Sequence, residues 1–96
     1  MDNIFRIYCE DVNREGIEAV LSRNLEGYTI GTGTGFYHGQ KEKSLIIDAF
    51  GTTRSAVNRI AQEIAFECNQ ESVAIVEIPC YNSFIFNPSK LQELVA

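Results

Sequence analysis

The sequence has no tryptophan, one histidine, two prolines and three cysteines, and its acidic residues outnumber its basic ones by 13 to 8. Each shortage removes a class of function. A lone histidine, His38, offers no ligand set for a metal, and Cys9, Cys68 and Cys80 show no CxxC spacing, so no metal is expected. Sparse thiols in odd number also give no disulfide framework, which fits a reduced compartment. A net charge of −5 and a pI near 4.7 oppose a general phosphate-backbone binder, which needs clustered Lys and Arg. Direct binding of nucleic acid is therefore not expected. No apolar run approaches the ~18 residues of a membrane span. The opening MDNIFRIYCED, acidic at its second position, lacks the form of a signal peptide. The expectation is a cytoplasmic protein without membrane contact.

What is present suits one folded domain. The chain has 96 residues and is 45% hydrophobic, enough for a modest core but not for two domains. Residues 27–50, GYTIGTGTGFYHGQKEKSLIIDAF, read as a β-hairpin with one unusual strand. Successive strand residues point to opposite faces. Gly31, Gly33 and Gly35 thus share one face, and Tyr28, Ile30, Thr32, Thr34 and Phe36 share the other. A strand with a side-chain-free stripe lets something approach its backbone closely, or marks a bulge.

Around this hairpin the periodicities alternate. Phe5, Ile7 and Cys9 mark a strand over residues 4–9. A helix follows, capped by Asn13, with Val12 and Ile17 at staple positions and Ile17, Val20, Leu21 and Leu25 as its apolar stripe. Asn24 and Gly27, the latter able to take a positive φ, are its expected terminators, and Gly16 is its weak point. Residues 38–41 supply the hairpin turn and residues 42–50 its second strand. Val57, Ile60, Ala61, Ile64 and Cys68 keep helical spacing over residues 54–69. Residues 72–78 form a nearly all-apolar strand, as expected of one covered on both faces or central in its sheet, and Pro79 ends it. The order predicts an α+β, ferredoxin-like βαββαβ fold, an antiparallel sheet with both helices on one face. Residues 80–96 form a tail with a short helix over 90–95, packing on the domain or on a partner. The second sheet face carries Ile4, Tyr8, Ile46 and Phe50, or their opposite numbers, an apolar surface suited to pairing or to cover by the tail.

Two candidate sites emerge. The glycine face with Gly31, Gly33, Gly35, Tyr37, His38 and Glu42 is the candidate ligand site. GTGTG is not a phosphate loop, because its glycines lie within a strand that leads into another strand and no GK[ST] follows. Ser44, Ser72 and Ser83 lack a GxSxG setting, and His38 beside Glu42 is the sole acid–base candidate, so the balance lies against an enzyme. No cofactor is implied. The second candidate is a protein-docking surface. Phe66 falls opposite Val57 on its helix, with Arg59, Gln62 and Glu63 on the outward side; aromatic and Arg side chains dominate interface hot spots. Tyr81, Phe84 and Phe86 of the tail either join that surface or cover Phe66. The leading expectation is a non-enzymatic interaction module, a homodimer that binds another protein. The alternative is a small-ligand or nucleotide-binding domain, or a modest enzyme, using the glycine face.

The runs GFYHGQKEKS (residues 35–44) and QESV (residues 70–73) resemble a family of small α/β proteins known mainly as a domain of unknown function. That family has a G-x-aromatic-x-G-x-x-E-x-S hairpin and a Q-E-S-V strand start. The resemblance implies the same fold, and makes Glu42, Ser44 and Gln70 the polar positions of interest. It departs at Tyr37, where members carry Trp, and in lacking an export signal. In type, a short, acidic, stand-alone α/β chain is also similar to phage and mobile-element inhibitors such as anti-CRISPR proteins.

Overall fold

The computed structural model describes residues 3–80, in the order β1 (Asn3–Glu10), α1 (Arg14–Asn24), β2 (Tyr28–Tyr37), β3 (Gln40–Ala49), α2 (Arg54–Glu67) and β4 (Ala74–Pro79). The four strands form one sheet in the order β2-β3-β1-β4, every neighbour antiparallel. This is the ferredoxin-like arrangement that the alternating periodicities predict. The expected tail, with Tyr81, Phe84, Phe86 and the short helix, lies outside the described residues.

Register decides which side chains meet the helices. Ile7 lies opposite Ile47 on one side and Ile75 on the other, and Cys9 lies opposite Leu45. Phe5, Ile7 and Cys9 with Leu45, Ile47 and Ala49 thus make one sheet face, and all six are buried. The helices close over it with Ile17, Val20, Leu21, Val57, Ile60 and Ile64, each fully buried. Burying one such aliphatic side chain contributes about 1.5–3 kcal/mol, so this single layer holds the domain together. Among the described residues no helix covers the opposite sheet face.

The helix ends follow from particular side chains. Asn13 caps α1 in the left-handed region (φ 54°), its side chain accepting from the Gly16 amide. A Cβ at residue 16 would stand 2.5 Å from Asn13 Nδ2, so Gly16 makes room for the cap and is not merely a weak point. Val12 stays 41% exposed while Ile17 is fully buried, so the staple does not share the core. α1 ends through Leu25 in an extended conformation, without a positive φ at Gly27. Thr53 caps α2 by accepting from the Ala56 amide. Between the hairpin strands, His38 (φ 51°) and Gly39 (φ 74°) form a two-residue turn of the primed type, tighter than the predicted four, and pairing starts at Tyr37 opposite Gln40.

β4 corrects the reading of residues 72–78 as a central strand. It is an edge strand, with Val76 45% exposed. Its apolar run reflects apolar residues on both faces, not cover on both faces. What leads into it is a helix terminator. Asn69 takes the left-handed region (φ 53°) and the Gln70 amide donates to the Ala65 carbonyl (3.0 Å), a Schellman closure. That turn aims the Gln70 side chain at β1. Its Oε1 accepts from the Glu10 amide (3.1 Å) and its Nε2 donates to the Glu10 carbonyl (3.0 Å). The β1–β4 ladder stops at Tyr8 opposite Ala74, so Gln70 stands in for the next strand residue. Replacing Gln70 with Ala strips Glu10 of both partners, and the expected loss is about 1–2 kcal/mol, read from the urea midpoint. A variant as stable as the parent contradicts the role of Gln70 in closing this ladder.

Candidate functional site

The hairpin outruns the sheet. β1 pairs with β3 only as far as Glu10 opposite Ser44, with one further bond from the Asp11 amide to the Lys43 carbonyl (2.8 Å). Residues 34–43 therefore project beyond β1 as a two-stranded arm. On the open face, Gly31 lies opposite Ile46, Gly33 opposite Ser44 and Gly35 opposite Glu42. The glycine stripe thus falls on the helix-free side, beside Ile46, Tyr8 and Val76. A Cβ at Gly35 would stand 2.4 Å from Ser44 Oγ, so the missing side chain leaves room for the serine. At Gly31 the nearest atom would be 3.9 Å away, and that part of the stripe lies bare.

Where the arm leaves the sheet there is a concavity of about 370 Å³, with walls that include Tyr8, Glu10, Tyr37, Glu42, Ser44 and Glu71. Of the predicted ligand residues, Gly35, Tyr37 and Glu42 meet here; Gly31, Gly33 and His38 are not in its walls. His38 sits in the turn, its ring edge-on to Tyr37 with centroids 4.3 Å apart, and no hydrogen bond joins it to Glu42. The acid–base pairing is thus not assembled. Glu42, Ser44 and Gln70, the positions carried by the family resemblance, all line the concavity, although Gln70 is occupied by the Glu10 backbone. Tyr8, Glu10 and Glu71 were not predicted. Alternation along β1 places Tyr8 and Glu10 on this face, but no local signal tells that the arm passes beside them.

The chemistry of these walls is acidic and phenolic. Among the described residues that line it, three are glutamates and none is Lys, Arg or His. Such a surface repels phosphate and suits a neutral or cationic group. Cys9 also reaches it, but burial pushes its thiol up to about 11, so it is protonated at neutral pH and a poor nucleophile.

Deeper in the open face, the Arg6 guanidinium makes a two-pronged pair with Asp48 (2.7 and 3.1 Å), which keeps that charge from standing unpaired among Tyr8, Val76 and Ile46. On the far side of the molecule, Phe66 is 91% exposed, and Arg59 and Gln62 are exposed with it on one face of α2. Glu63 departs from that group. It turns to α1, where Asn24 donates to it (2.7 Å) and Arg23 pairs with both it and Glu67.

No family model and no curated protein matches the chain. Solved structures do. A DUF3240 family protein from Shewanella baltica OS155 superposes with a TM-score of 0.62 at 13% identity, covering 90% of this chain and 97% of its own. CPII from Thiomonas intermedia K12, a nitrogen regulatory PII-like protein bound to ADP, AMP and bicarbonate, gives 0.61 at 18% identity, covering 86% and 96%. CutA1 from Pyrococcus horikoshii gives 0.60 at 15% identity, covering 97% and 94%. The fold is PII-like. These neighbours are small α/β proteins, in keeping with the family resemblance, and none of the three is an anti-CRISPR protein. Among the described residues no helix is long and apolar enough to cross a membrane.

The close fit of Gly35 and Ser44 is testable. Gly35→Ala should cost about 1 kcal/mol through crowding of Ser44, and Ser44→Ala in the same chain should remove most of that cost. Equal cost in both backgrounds, by urea unfolding, would mean that Ser44 is not what the glycine accommodates.

Proposed function

We propose that the chain is a non-enzymatic protein-interaction module of PII-like fold that acts as a homodimer. The observation that supports this best is Phe66, a 91% exposed aromatic on a helix whose opposite side is fully buried. Leaving one Phe ring in water forgoes roughly 2 kcal/mol of burial. With Arg59 and Gln62 beside it, the outer face of α2 has the composition of an interface centre. The acidic chain, at −5, favours a partner with a basic surround. The narrower version, an inhibitor of the anti-CRISPR type, rests on chain type alone.

A second reading is supported by the concavity at the base of the arm. Adenine nucleotides, the ligands of CPII, would bring phosphates against Glu10, Glu42 and Glu71, so a neutral or cationic small molecule fits better. A thermal-shift series separates the two chemistries. Organic amines should raise the melting temperature and ADP should not; a shift with ADP overturns this electrostatic argument.

The main reading is tested by capture from lysate with the tagged chain beside Phe66→Asp. Since Phe66 is exposed, the variant should keep its stability within about 0.5 kcal/mol. The expected result is a specific partner lost in the variant. A partner retained by Phe66→Asp, or no partner at all, removes α2 as the docking surface.

A further inference from the structure

Among the described residues β2 has a free edge, and that edge carries a distinctive pattern. Sheet edges are ordinarily blunted by charge, proline, bulges or short length. β2 has none of these: YTIGTGTGFY is ten residues long, uncharged and proline-free, and it pairs with β3 in unbroken register throughout. The other edge, β4, is shorter and carries Glu77 and Pro79. The Phe50 amide donates to the Gly27 carbonyl (3.4 Å), which sets the alternation along the hairpin. Odd-numbered residues of β2 turn their amides and carbonyls to β3, and Ile30, Thr32, Thr34 and Phe36 turn theirs to the free edge.

The same strand is nearly palindromic about Gly33. Reading outward from it gives Thr32 and Thr34, then Gly31 and Gly35, then Ile30 and Phe36. We infer that β2 pairs antiparallel with β2 of a second copy, with Gly33 on the two-fold axis. The inference rests on the homodimer proposed above and adds its surface. In that register Thr32 faces Thr34 of the second copy and Ile30 faces Phe36 of the second copy. Both are favourable cross-strand pairs, Thr with Thr and aromatic with β-branched. The parity also agrees, since all four are outward-turned residues, and they would exchange about eight backbone hydrogen bonds. Glycine then faces glycine, at the positions where antiparallel strands come closest.

Two further features fit. Phe36 is 72% exposed on the helix side of the arm, beyond the reach of its own helices, and the pairing brings Ile30 of the second copy to it. Each copy carries −5, so two copies repel in general, and β2 is a long stretch where they meet without charge. The product is a continuous eight-stranded sheet with helices on one side. The two glycine stripes adjoin at its centre on the other, a smooth band wide enough for a partner's backbone to lie against.

Sedimentation of the full chain at tens of micromolar should give twice the 10.8 kDa chain mass. Thr32→Lys/Thr34→Lys, at two exposed positions, sets lysine against lysine across the axis and should return the mass to one copy with the circular dichroism unchanged. Mixing it with Thr32→Glu/Thr34→Glu should restore the doubled mass. In a Cys80→Ser background, mild oxidation should cross-link Gly33→Cys to itself and leave Thr32→Cys uncross-linked. A single-copy mass for the parent overturns the homodimer and this surface together. A mass of three copies likewise overturns both, whereas a doubled mass that the lysines leave intact overturns the surface alone, as does cross-linking by Thr32→Cys and not Gly33→Cys.

Discussion

Two helices of eleven and fourteen residues can cover one face of a four-stranded sheet, and here they cover one face only. Everything else in the molecule is arranged around that asymmetry. The covered face is a single layer of Ile, Leu, Val, Ala, Phe and Cys side chains, fully buried at its centre and satisfied without polar help. Each remaining polar connection serves its border. Gln70 completes the β1–β4 ladder, Asn24 and Arg23 tie the helices through Glu63 and Glu67, and Tyr28 reaches Ser22 across 2.7 Å to hold β2 against α1. The open face keeps apolar side chains, and Arg6 on it is neutralised by Asp48. A monomer gains little from such a face; an assembly gains from it.

The glycine stripe makes sense within that division. Glycine lowers strand stability through chain entropy and lost packing, so three of them on one face of one strand call for a compensating contact. On the helix side the same strand keeps Tyr28 and Ile30 packed on the core. Among the described residues β2 is therefore attached by one face and one edge, and its other edge has no strand partner. Ser44 accounts for Gly35. At Gly33 a Cβ would stand 3.3 Å from the Ile46 side chain, and of the three only Gly31 meets no side chain among the described residues.

Much of this was legible in the sequence because it is local. The spacing of Val57, Ile60 and Ile64, the caps at Asn13 and Thr53, and the alternation of the glycines each fix a structure within a few residues. The misreadings came where burial depends on distant parts of the chain. Residues 72–78 look central because both faces of that strand are apolar, yet the strand closes the edge of the sheet. Gln70 looks like one more polar loop residue, because its partner is backbone sixty positions away in sequence. Glu10 and Tyr8 join Tyr37 and Glu42 only because the arm outruns β1, and the length of β1 is not encoded in the arm. Glu63 seemed to belong with Phe66 on the helical wheel, and a neighbouring helix claims it instead.

Amide hydrogen exchange along β2, read residue by residue by NMR at high and low protein concentration, decides whether a second copy pairs at its edge. Amides of Gly31, Gly33 and Gly35, turned to β3, should be protected at every concentration. The amides of Ile30, Thr32, Thr34 and Phe36 should exchange slowly at high concentration and lose that protection on dilution. Fast exchange at those four positions at every concentration would contradict that pairing, and would leave the edge of β2 as bare as its glycine face.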